Sequence, residues 1–119
     1  MKIIVKQTHW SGWDGGHSSE RTKEYDIKLN EEVVVDSMEY TSTNSKGEEI
    51  SIVQPTFSFK VLKVKENYLK LLVGGEAGGI YNKKKDLYTS QKVVLHLNKT
   101  LTFKTGWMDA GKSFEISIG

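Results

Sequence analysis

Val61-Leu62-Lys63-Val64-Lys65-Glu66-Asn67-Tyr68-Leu69-Lys70-Leu71-Leu72 decides the fold class, because it reads as one tight antiparallel hairpin. With Glu66-Asn67 as a two-residue turn, Val64 faces Leu69 and Leu62 faces Leu71 on one side, while Val61 pairs with Leu72 on the other. A strand pair that is apolar on both faces belongs at the centre of a two-layer structure. The same register sets Lys63 opposite Lys70, a like-charge juxtaposition that costs stability.

Strand signals continue in both directions from this hairpin. Residues 2 to 8 read as a strand, and in the next run Tyr25, Ile27 and Leu29 share one face against Glu24, Asp26 and Lys28. Val33, Val34 and Val35 followed by Met38 and Tyr40 change parity midway, which predicts a bulge or a strand that leaves one sheet for another. Asn44-Ser45-Lys46-Gly47 is a turn leading into alternating Ile50 and Ile52. Pro55, the only proline, lacks a backbone donor and is expected at a strand end or sheet edge. With a three-residue connection at Asn98 to Thr100, Val93, Leu95, Leu97, Leu101 and Phe103 share an apolar face and His96 points away, beside Thr102. Phe114, Ile116 and Ile118 point inward from the last strand. No segment carries a convincing helix. Eight or nine short strands across residues 1–119 therefore predict an all-β, single-domain antiparallel β-sandwich of immunoglobulin-like or jelly-roll type, with a small β-barrel as the alternative.

Composition narrows the function classes. A hydrophobic fraction of 37% spread in alternating runs describes a folded chain, and 17 basic against 15 acidic residues leave a net charge of only +2. That balance points away from nucleic acid or a membrane as the main partner. The absence of cysteine removes thiolate nucleophiles, disulfides and cysteine-ligated metal sites. Three consecutive apolar residues, Ile3 to Val5, are too few for a secretory signal, so a cytoplasmic setting is expected.

Two connections stand out. Gly12-Trp13-Asp14-Gly15-Gly16 and Gly106-Trp107-Met108-Asp109-Ala110-Gly111 each set a Trp and an Asp among glycines, where a large ring has no strand packing to satisfy. Residues 9 to 22 and 74 to 90 read as long connections, the second glycine-rich and then basic at Lys83-Lys84-Lys85. That run is a solvated loop, and its glycines lack the Gly-Lys-Ser/Thr of a phosphate-binding loop.

Three chemistries compete for these residues. His9, Asp14 and His17 could ligate a metal, but their spacing matches no standard site and they lie on a glycine-rich segment without rigid support. Asp14 with Asp109 could serve a small hydrolase, although a small sandwich rarely encloses a substrate. A binding surface uses the residues better: Trp10, Trp13, Tyr81 and Trp107 offer flat apolar area, with Asp14, Asp109 and His17 as polar contacts. The plain alternative is that Trp10 and Trp107 close the ends of the core. The sequence therefore predicts a non-catalytic protein, without cofactor or metal, that engages a protein partner as an inhibitor, immunity-type antagonist or assembly subunit. A carbohydrate-binding module is the second reading.

Overall fold

Packing two antiparallel sheets face to face satisfies the alternating pattern, and the computed structural model, which describes residues 1–12, 16–106 and 110–119, has that architecture. Its elements are β1 (Lys2–Ser11), β2 (His17–Asp26), β3 (Glu32–Thr43), β4 (Glu49–Val64), β5 (Tyr68–Gly74), a one-turn helix α1 (Gly75–Gly78), β6 (Ile80–Asn82), β7 (Leu87–Thr89), β8 (Gln91–His96), β9 (Thr100–Gly106) and β10 (Ala110–Ile118). One four-stranded sheet runs β2-β1-β10-β9, the other β3-β4-β5-β8, and β6 pairs with β7 as a separate hairpin.

Apart from β1 against β10 and the β6–β7 insertion between β5 and β8, each pair within a sheet is consecutive in the chain. That is a meander order, unlike the Greek-key connections of immunoglobulin-like and jelly-roll sandwiches. The sheets stay separate, since neither β2 and β3 nor β8 and β9 are paired, so the molecule is a sandwich and not a closed barrel.

The core lies between the sheets. Ile3, Val5, Phe114 and Ile116 project from the first sheet, and Phe57, Phe59, Val61, Leu69, Leu71, Val73 and Leu95 from the second, all at most 2% exposed. Phe57 stacks on Phe114 at 4.9 Å between ring centres and touches Phe103 at 5.2 Å, while Tyr25 meets Phe59 edge-on at 5.4 Å. These rings join the layers, and each fully buried large apolar side chain contributes about 1.5–3 kcal/mol.

The central hairpin keeps Val64 opposite Leu69 and Lys63 opposite Lys70, but a bulge at Leu62 then sets Val61 opposite Leu71. The bulge resolves the two-sided apolar pattern: Val61 and Leu71 both enter the core, and the expected Leu62–Leu71 and Val61–Leu72 pairs do not form. In β3 the predicted parity change is a pair of register shifts between Val34 and Ser37, and the strand stays in its sheet. Pro55 lies inside β4 and does not end it. It sits opposite Ser37, beyond the last β4–β5 pair at Ser58 and Gly74, where β4 is paired only with β3.

Three expectations need correction. The β8–β9 connection crosses between sheets, so the parity of Val93, Leu95, Leu101 and Phe103 holds, but Leu97 is 42% exposed and His96 lies beside Tyr68, not Thr102. β2 ends at Asp26, leaving Leu29 57% exposed in a single bridge to Val61. The long polar connections are largely strand: β1 and β2 reach Ser11 and His17, and residues 74–90 contain α1 and the β6–β7 hairpin. Alternation fades there because both sheet faces meet water, which removes the signal that periodicity reads.

Candidate functional site: the loop end of the sandwich

Antiparallel pairing sets the site's position. Ser11 pairs with Ala110 and with His17, and Gly111 with Gly106, so the β1–β2 and β9–β10 connections leave the same end of the first sheet. α1, which follows β5, packs against β4, β9 and β10 and brings the 75–90 insertion to that end as well. Gly75 makes this packing close. With φ +85° it adopts a conformation that favours glycine, and an added Cβ would come within 2.7 Å of the Thr56 carbonyl.

On the first sheet the core-facing positions change character toward this end. β1 runs Ile3, Val5, Gln7, His9 on that face; β2, in register with it, runs Tyr25, Lys23, Arg21, Ser19; β10 runs Ile116, Phe114, Lys112. The apolar half is core, and the polar half lines a cleft of about 360 Å³ with Gln7, His9, Ser19, Arg21 and Lys112 on its wall. The β3 irregularity supplies the opposite wall. By setting Asp36 across from buried Phe57 it turns a carboxylate inward, where Asp36 accepts a 2.7 Å hydrogen bond from Lys112 Nζ. Both side chains are less than one-fifth exposed, so this is the most sheltered ion pair among the described residues. Arg21, also on the cleft wall, donates to Gln7 Oε1 at 3.2 Å.

A second depression, about 440 Å³, lies where the overhanging β3–β4 hairpin faces the β6–β7 hairpin. Tyr40, Ile52 and Pro55 line one side and Asp86, Leu87 and Tyr88 the other. Tyr81 and Tyr88 pair across β6 and β7 with ring centres 5.2 Å apart. The Tyr81 hydroxyl donates to Asp86, and that hydrogen bond, followed by desolvation and nearby charge, raises its pKa above the usual tyrosine value. Burial similarly raises Tyr25, against the opposing charge of Arg21.

The residues expected to bind are distributed as follows. Trp13, Asp14, Trp107 and Asp109 lie outside the described residues. Trp10 lies on the outer face of the first sheet, 36% exposed, with its indole across Gly111, where any side chain would collide with the ring. That contact is the structural role an aromatic plays over a bare glycine. His17 begins β2 opposite Ser11, on the face of the sheet away from Trp10, and Tyr81 belongs to the separate hairpin. Trp10, His17 and Tyr81 therefore share an end but not a surface. Of the weighed metal ligands, His9 and His17 occupy the same face, and no cluster of three metal-ligating side chains forms among the described residues. Sequence reading missed Arg21, Asp36 and Lys112. For Lys112 the available signal was a polar residue continuing the inward parity of Phe114 and Ile116, and for Arg21 one continuing that of Tyr25.

No family model matches the chain, and neither a curated protein nor a solved structure resembles it at a significant level. Among the described residues no helix is long and apolar enough to cross a membrane.

Proposed function

We propose that this chain is a non-catalytic, cytoplasmic binding protein that holds a protein partner at the loop end of the sandwich and works by occlusion. The observation that supports this reading is the sheltered Gln7–His9–Arg21–Lys112–Asp36 cleft on the inner face of the first sheet, toward the end from which the β1–β2 and β9–β10 connections leave. Its cationic groups are each held by a hydrogen bond, Lys112 to the Asp36 carboxylate and Arg21 to the Gln7 side-chain carbonyl. They offer fixed donors to a carboxylate or backbone carbonyl of a partner. The same two connections carry Trp13, Asp14, Trp107 and Asp109, which we retain as contact residues.

The test is affinity capture from the native lysate with the wild type, Arg21→Ser, and the Trp13→Ala/Trp107→Ala double variant, after each is verified as folded. A partner held by the wild type and lost by both variants supports the reading. A partner held equally by all three contradicts it. A carbohydrate ligand is the second reading, favoured by Tyr40, Tyr88 and Asp86 around the larger depression, since a ring can stack on a sugar's C–H face while a carboxylate accepts its hydroxyls. Glycan binding lost in Tyr88→Ala and kept in Arg21→Ser would select it.

A further inference from the structure

The outer face of the second sheet, remote from the cleft, has its own chemistry. One row across it reads Glu32, Lys60, Leu72, Lys92, and the next reads Lys63, Lys70, Val94, with Leu62 in the bulge beside Lys63. Lys63, Lys70 and Lys92 are exposed and Lys60 is half-buried. None of these lysines makes an ion pair among the described residues, although Glu32 stands opposite Lys60. Lys63 and Lys70 are directly opposed, an arrangement that costs the free protein stability and becomes favourable when an anion lies over it. Between the ammonium groups sit aliphatic side chains: Leu62 and Val94, with the Lys70 and Lys92 stems, line a shallow depression of about 250 Å³. Val94 is 39% exposed.

We infer that this face docks on an anionic phospholipid bilayer, independently of any partner at the loop end. Charge complementarity selects the occupant. Lysines reach phosphate and carboxylate headgroups as flexible point charges, and their methylene stems together with Leu62, Leu72 and Val94 sit at the headgroup–acyl boundary. A second copy of the same face would oppose lysine with lysine. A nucleic acid strand would gain from stacking rings and arginine forks, and the two lysine rows hold neither.

The experiment is co-sedimentation with phosphatidylcholine vesicles and with vesicles that also contain phosphatidylserine, at low and at high salt. The wild type is expected to sediment only with phosphatidylserine vesicles and to be released as salt rises. Lys70→Gln/Lys92→Gln is expected to weaken partitioning roughly thirtyfold. Val94→Gln should weaken it several-fold at unchanged charge, and Lys104→Gln, on the other sheet, should leave it unchanged. A thermal unfolding midpoint for each variant verifies the fold. Equal sedimentation of wild type and double variant, no sedimentation with phosphatidylserine vesicles at low salt, or tighter binding to single-stranded nucleic acid than to vesicles overturns the inference.

Discussion

The outer faces of the two sheets are built on the same pleat and carry opposite electrostatic designs. On the first sheet Lys2 meets Glu24 and Asp26, and Lys6 bridges Glu20 and Glu115 at 3.4 and 4.0 Å. On the second sheet the lysines stand in adjacent rows around Leu62, Leu72 and Val94, with Glu32 alone at the edge. Cross-strand neighbours on the first sheet neutralise one another, and the result is a solvated wall. Those on the second leave a field that an external anion would complete. The difference teaches that a near-neutral chain can concentrate charge by register alone, so a net charge of +2 says little about any one face.

The largest effect is expected where the comparison has its common support. Phe57→Ala removes the ring that stacks on Phe114 and should cost about 3–5 kcal/mol in urea denaturation; a loss near 1 kcal/mol would place the junction of the sheets elsewhere. Next comes the interior ion pair. Lys112→Met leaves the sheltered Asp36 carboxylate without its partner and should cost about 2 kcal/mol, whereas Lys112→Met/Asp36→Leu should recover part of that loss. Gly111→Val should also destabilise, by about 1–3 kcal/mol, because the side chain would displace the Trp10 indole on the first sheet's outer face.

Smaller effects sharpen the contrast by their sign. Lys6→Thr removes two exposed ion pairs and should lower stability by about 0.5 kcal/mol. Lys70→Thr relieves the opposition with Lys63 and should raise it by about 0.3 kcal/mol. Salt should shrink both differences. The smallest effect concerns Tyr81. Its raised pKa means that the phenolate forms above the ordinary tyrosine range, and Asp86→Asn should return the titration, followed by ultraviolet absorbance, toward the usual value. Tyr25 is also raised, so the stability linked to it is present below the ordinary tyrosine pKa and is lost as pH rises toward its folded value; Tyr25→Phe should flatten that alkaline loss.

Much of this architecture was legible in the sequence because strands with one wet face write a period of two. The Tyr25/Ile27, Leu69/Leu71 and Phe114/Ile116 alternations each mark a core side. The Val33–Tyr40 parity change announced the β3 irregularity, but not that it would turn Asp36 toward Lys112, since that meeting depends on the spacing of two sheets. Periodicity was also silent on pairing between distant strands. Leu95 and Leu101 share a core from opposite layers, which their pattern cannot distinguish from a hairpin. The cleft was partly readable, in Gln7 and His9 continuing the inward parity of Ile3 and Val5. The lysine face was readable only at Lys63 and Lys70, because Lys60 and Lys92 join it through the bulge at Leu62 and the pairing of β5 with β8.

Amide chemical-shift mapping of the labelled protein against bicelles containing phosphatidylserine tests the contrast between the two faces most directly. The account predicts shifts and broadening confined to Lys60, Leu62, Lys63, Lys70, Leu72, Lys92 and Val94, with Lys6, Glu20 and Glu115 unmoved. Perturbation spread equally over both faces, or confined to the first sheet, would contradict it.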